Sequence, residues 1–162
     1  MPETQNISAV RDRIGDFFTE AVLHHRPVVI GRRRDQALLL GSAEVLRLVA
    51  SHEFHPEVFV EDGAVSIWLP EFALYGRGRS FPEAHEDLLE EARDYVDEYV
   101  ERSDEFVRAP NRAHHYPWVL RALVAELRGE LADVLFAEPS EARAAVAEPA
   151  GIKHSPLAAA DI

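Results

Sequence analysis

The sequence contains no cysteine. Disulfides therefore cannot staple the fold, and thiolate chemistry is excluded. It also lacks any apolar run approaching the roughly 18 residues of a membrane span. The opening Met1-Pro2-Glu3-Thr4-Gln5-Asn6 has neither the basic start nor the apolar stretch of a secretory leader, so the expected compartment is the cytoplasm. Nucleophile elbow, P-loop, dinucleotide fingerprint and zinc-deaminase signature are all missing. Ser8, Ser42, Ser51, Ser66 and Ser80 read as caps or strand residues rather than nucleophiles. There is no long-period repeat.

What is present fits one ordinary domain or two very small ones: 162 residues, 47% hydrophobic and 28% charged. The net charge of −12 is unevenly spread. Residues 1–50 carry seven arginines against six carboxylates, residues 51–110 five against sixteen, and residues 111–162 five basic residues against seven. Uncompensated carboxylates repel phosphates, so nucleic acid is not gripped along the whole length. DNA at one end and a basic partner at the other remain open, beside a merely solvated acidic surface.

Gln5 to Ser8 reads as an extended entry, with Ser8 as N-cap of a helix over residues 9–25. Val10, Ile14, Phe17, Phe18, Ala21 and Val22 recur at the three-and-four spacing of an amphipathic face. Arg26-Pro27 ends it. Pro27 to Gly31 and Gln36 to Leu40 read as two strands joined by Arg32-Arg33-Arg34-Asp35. Ser42 caps a short helix through Val49. So small a module buries little core alone, which points to a dimer.

Strands follow. Glu57 to Glu61 leads into Asp62-Gly63, a strong hairpin signal, and Ala64 to Leu69 returns. Phe72 to Arg79 forms a third strand in which Gly76 and Gly78 mark a bulge or edge. Ser80, Pro82 and Glu83 open a helix through Glu101, with Glu83 at the capping-box position. Its apolar stripe is Leu88, Ala92, Tyr95, Val96, Tyr99 and Val100. A linker over residues 104–112 precedes a helix over residues 116–136 that buries Val119, Leu120, Leu123, Val124, Leu127, Leu131 and Leu135. Residues 137–162, rich in Ala, Pro and Glu, read as a flexible tail.

Residues 7–49 resemble the N-terminal module of Phd/YefM-family bacterial antitoxins, through Ile7-Ser8, Arg13, Pro27-Val28-Val29-Ile30, Arg32-Arg33-Arg34, Ala37 to Leu40 and Ser42-Ala43-Glu44. Residues 57–103 resemble HicB-type antitoxins, a degenerate relative of ribonuclease H, through Val58 to Asp62, Gly63, Ser66 to Glu71, Tyr75 to Gly78 and Pro82-Glu83-Ala84. The resemblance implies an α+β chain in three parts. Residues 1–52 would be a β-α-β-β-α module for DNA binding and dimerisation. Residues 53–136 would be a toxin-binding module, a three-stranded antiparallel sheet with an acidic helix and a further helix. Residues 137–162 would be the tail. It implies no catalysis and no cofactor. The partners would be a cognate toxin and operator DNA, the protein acting as a homodimer that represses its own operon.

The arginines carry the DNA expectation. Arg32, Arg33 and Arg34 in the hairpin, with Arg11 and Arg13 near a helix start, are placed to meet phosphates and base edges, and a two-fold dimer would present them twice. The alternative is a solvated basic turn. For the acidic helix a solvated face is the simplest reading. Toxin contact through Glu90, Asp94, Asp97 and Glu101, by charge complementarity, is the functional one. Two rival functions stay open: a stand-alone transcription regulator whose C-terminal domain senses a ligand, and a ribonuclease H-related nuclease dependent on Asp87 or Asp94. The pairs His24-His25 and His114-His115 are poorly placed to chelate one ion, because neighbours on a helix point about 100° apart. His52 and His55 are better spaced but have no third ligand. No metal is expected.

Overall fold

The computed structural model describes residues 3–137. The expected tail therefore lies, beyond Ala137, outside the described residues. The chain divides between Ala50 and Ser51 into two compact units. The described residues form a mixed α+β structure with two three-stranded sheets and seven α-helices.

The first unit runs β1 (Thr4–Asn6), α1 (Ile7–Asp12), α2 (Ile14–Val22), β2 (Val28–Arg32), β3 (Asp35–Leu39) and α3 (Ser42–Leu48). Its sheet has the order β1-β2-β3, with β1 parallel and β3 antiparallel to β2. The single helix expected over residues 9–25 is two helices, interrupted where Arg13 leaves helical geometry at φ −130°, ψ 31°. The cap is Asn6 rather than Ser8. Asn6 lies extended, and its side-chain oxygen accepts the Ser8 N–H at 2.9 Å, satisfying one of the first-turn donors. Likewise α3 starts from an extended Gly41, with Ser42 already its first helical residue. Val10, Phe17, Ala21 and Val28 form a small core, flanked by Ile30 and Leu39.

The second unit runs β4 (Glu57–Glu61), β5 (Ala64–Leu69), β6 (Leu74–Gly78), α4 (Phe81–Glu101), α5 (Ser103–Phe106), a 3₁₀ turn (Ala113–His115), α6 (Tyr116–Leu127) and α7 (Leu131–Leu135). The strands form an antiparallel meander. Asp62 and Gly63 both take positive φ, 50° and 77°, as a two-residue type I′ connection requires. The register of β5 against β6 is unbroken from Val65↔Gly78 to Leu69↔Leu74, so the glycines of β6 mark no bulge. They mark close approach instead: a Cβ on Gly76 would lie 2.2 Å from the Ala84 carbonyl oxygen and 2.5 Å from the Leu88 Cβ. Helix α4 can therefore lie directly on the edge strand.

Ser80 caps α4, its hydroxyl accepting the Glu83 N–H at 3.4 Å, while Glu83 accepts the Arg79 N–H at 2.8 Å rather than that of Ser80. Leu88, Ala92, Tyr95, Val96 and Tyr99 are buried, but Val100 is 48% exposed. The expected helix over residues 116–136 breaks at Gly129, whose φ of 71° suits glycine. This break leaves Leu127 75% exposed and Leu120 and Leu123 only half-buried, while Leu131 and Leu135 are buried from α7. The expected linker after Asp104 includes the turn α5, anchored by buried Phe106.

Candidate nucleic-acid and partner surfaces

In the first unit the arginines fall into two sets. Arg32 ends β2, paired in register with Asp35, and Arg33 and Arg34 form the two-residue turn. All three are exposed, and no carboxylate among the described residues forms an ion pair with them. Arg33 holds φ 57°. The hairpin tip thus presents consecutive guanidinium groups to solvent, each free to take an external anion. The helix arginines are partnered: Arg11 Nε donates to Asp12 at 3.1 Å, and Arg13 Nε donates to Asp16 at 2.9 Å. Arg13 also lies over the Phe17 ring, 5.5 Å from its centroid. These pairs are highly exposed and so contribute little; a phosphate can displace the carboxylates at small cost.

Elsewhere in this unit Glu20 and Glu44 take cationic or histidine partners. Glu20 is held below the usual carboxylate range, first by its hydrogen bond from His24 and then by Arg26. His25, at φ 54°, contacts Glu44 at 2.6 Å. The adjacent pair His24-His25 therefore serves two different glutamates.

In the second unit Glu90, Asp94, Asp97 and Glu101 all stand exposed on α4. None of them has an ion-pair partner among the described residues, whereas Glu98 accepts from Arg102 at 2.6 Å and Arg93 donates to Glu126 at 3.1 Å. Asp87 is committed to structure: its carboxylate accepts the Arg77 N–H at 2.7 Å, tying α4 to β6. The histidines here are structural as well. His55 bonds Glu71 through both its ring Nδ1 and its backbone N–H. His52 packs edge-on against Trp118, centroids 4.8 Å apart. His115 is buried, its Nδ1 sharing a hydrogen bond of 2.5 Å with the Tyr95 hydroxyl. Burial depresses its pKa to about 4, with His114 and Arg112 adding to the effect. Glu71 moves the other way: burial and nearby Glu57 raise it to about 7. Sequence spacing treats these histidines only as metal ligands. Their partners lie 16 and 20 residues away, beyond the reach of any local pattern.

A mixed α+β chain with a bare basic hairpin in one unit and a bare acidic helix face in the other has the surfaces of a binding protein. The chain belongs to the PHD-like family, described as antitoxin of toxin-antitoxin, RelE / RelB, TA system, which it matches over residues 1–136. Its structure is similar to the crystal structure of an antitoxin part of a candidate toxin/antitoxin system from Syntrophomonas wolfei subsp. wolfei. The two share 26% identity and a TM-score of 0.68 over 82% of this chain and 95% of that one. No protein of curated function matches the sequence. Membership of an antitoxin family makes this a regulatory protein rather than an enzyme, and an antitoxin implies a cognate toxin as partner. No described helix is long and apolar enough to cross a membrane.

Proposed function

We propose that this chain is a cytoplasmic antitoxin with two activities: it neutralises its toxin by direct contact through residues 53–136, and as a homodimer it represses its own operon through residues 1–52. The first segment is read as Phd/YefM-like and the second as HicB-like. The observation that carries the DNA half is the run of unpaired arginines at the β2-β3 turn, Arg32, Arg33 and Arg34, with Arg11 and Arg13 as further phosphate contacts. Neutralisation works by occlusion: the exposed carboxylates Glu90, Asp94, Asp97 and Glu101 face the basic surface of a toxin that acts on RNA or translation.

Gel-shift titration against the upstream region of its own operon tests the first half. Changing Arg13 and Arg32 together to Ala should weaken binding and lower the salt slope by about one unit for each phosphate no longer neutralised. Unchanged affinity in that double variant would refute the assignment. Co-expression with the neighbouring gene tests the second half, since neutralisation requires rescue of growth and co-purification of the two products. A stand-alone regulator that senses a ligand would bind DNA and pull down no partner.

A further inference from the structure

The second unit contains a cavity of about 580 Å³ that shares only Asp94 with the carboxylates proposed above for toxin contact. One wall is α4, the second is the loop from Pro70 to Leu74, and the third is the stretch from Asn111 to His115. Its chemistry is layered. The floor is aromatic: Phe72 and Tyr95 pack with centroids 4.8 Å apart, and buried His115 is fixed against Tyr95 through Nδ1. Its Nε2 makes no hydrogen bond among the described residues. The rim is acidic. Glu91, Asp94 and Glu98 stand at spacings of three and four, one side of the helix, and all three line the opening. Glu98 already holds Arg102, but Glu91 and Asp94 have no ion pair among the described residues. Arg112 lines the same cavity, its guanidinium 5.0 Å from the Tyr95 ring centroid. The chain thus places one guanidinium of its own against this aromatic wall, and the carboxylates of the rim outnumber it.

From this combination we infer that the cavity receives a cationic side chain, an arginine or lysine projecting from the toxin's surface, which lies against the aromatic floor while Glu91 and Asp94 hold its charge. This rests on the antitoxin reading and narrows its contact surface from the whole face of α4 to one recess. An anion is the poorer match, since three carboxylates line the cavity beside one guanidinium. An uncharged apolar group would leave the carboxylates at the mouth unpartnered and partly desolvated, which is unfavourable.

The test uses the full chain and N-acetyl-arginine amide as probe, with N-acetyl-norleucine amide for comparison, followed by NMR. The expected result is saturable shifts at Asn111, His115 and Tyr95 with the cationic probe and none with the neutral one. In a Glu91→Gln, Asp94→Asn double variant, affinity should fall by about tenfold, two exposed charge pairs being removed. A variant with the same charge removed elsewhere in the unit, Glu61→Gln with Asp133→Asn, should bind like wild type. Equal binding by all three proteins, or shifts scattered outside the recess, would overturn the inference. The same variants, co-expressed with the toxin, separate the two claims. If wild type rescues growth and the recess variant rescues equally well with an undiminished complex, the recess is not the contact although the antitoxin reading stands. If wild type itself binds no partner, that reading fails and takes the toxin side chain with it, whatever the probe does.

Discussion

Arg33 sits at φ 57°, in the left-handed region that costs a residue with a Cβ roughly 1–2 kcal/mol. Asn tolerates that conformation better than Arg and avoids glycine's extra freedom in the unfolded chain. Arg33→Asn should therefore raise stability by about 0.5–1 kcal/mol while weakening operator binding. Thermal unfolding and gel shifts on the same sample check both signs. A variant that is no more stable would mean the turn is relaxed with arginine in place. Two other residues oppose each other through pH. Glu71 is raised from 4.5 to about 7, so the folded state keeps a proton that the unfolded chain releases; its contribution is complete below about 4.5 and is lost as pH rises toward 7. His55 and Glu57 are the titratable neighbours facing it. His115 is lowered from 6.5 to about 4, so its contribution is complete above about 6.5 and is lost as pH falls toward 4. Between about 4.5 and 6.5 the two slopes offset. Urea unfolding of wild type across this range should give a nearly flat profile. His115→Gln should lose stability as pH rises, and Glu71→Gln should lose it as pH falls. Parallel profiles for the two variants would contradict the assignment.

At the scale of elements, the contact of α4 with β6 depends on the absence of a side chain. Gly76→Ala puts a methyl 2.2 Å from the Ala84 carbonyl oxygen, which lies in helix backbone and cannot swing aside. The expected loss is about 2–3 kcal/mol or more, with α4 displaced from the sheet, measurable by denaturant titration. Gly63→Ala, with open space around it, should cost less, through positive φ alone. This use of Gly76 was hidden in the sequence, where the two glycines of the strand read as a bulge or an edge; β6 is an edge strand, but the close approach of α4 is set by tertiary packing. Elements whose signals are local were legible. Asp62-Gly63 needs only its own two dihedrals, Ser80 only the Glu83 N–H, and the α4 stripe only its helical period. Elements decided by tertiary context were not. The period of three and four continues across Arg13 and across Gly129, so a window reads one helix where backbone geometry makes two. Asn6 and Ser8 are both good caps, and the choice between them follows from where β1, paired with β2, releases the chain. For the candidate sites, the arginine run at the turn was visible in the sequence. The pairing of Arg11 and Arg13, and the cavity behind α4, required coordinates.

For the whole molecule, the first unit has a small core for its fifty residues. It buries Val10, Phe17, Ala21 and Val28, yet leaves Ile14 at 55%, Phe18 at 57%, Leu38 at 55% and Leu48 at 69% exposure. Ile14 and Phe18 are four apart in α2 and so share one side of the helix. Fifty residues bury too small a fraction of their surface for strong independent stability, and an exposed pair of large apolar side chains on a short amphipathic helix is a natural place for a second copy to pack. Changing Phe18 to Glu leaves the buried residues of the core untouched and puts a carboxylate where the partner's apolar surface would lie. Light scattering should then report a dimer for wild type and a monomer for the variant at micromolar concentration. Operator affinity should fall by more than tenfold, because a dimer engages two half-sites at once and a monomer must bind each separately. Binding of the toxin should be unaffected, since the contacts proposed for it lie in the second unit. If wild type is monomeric, or the variant stays dimeric, the two-fold arrangement of the arginines is wrong. Repression would then require contact with the DNA one hairpin at a time, for which three exposed guanidinium groups in a unit with a balance of only +1 are a weak grip.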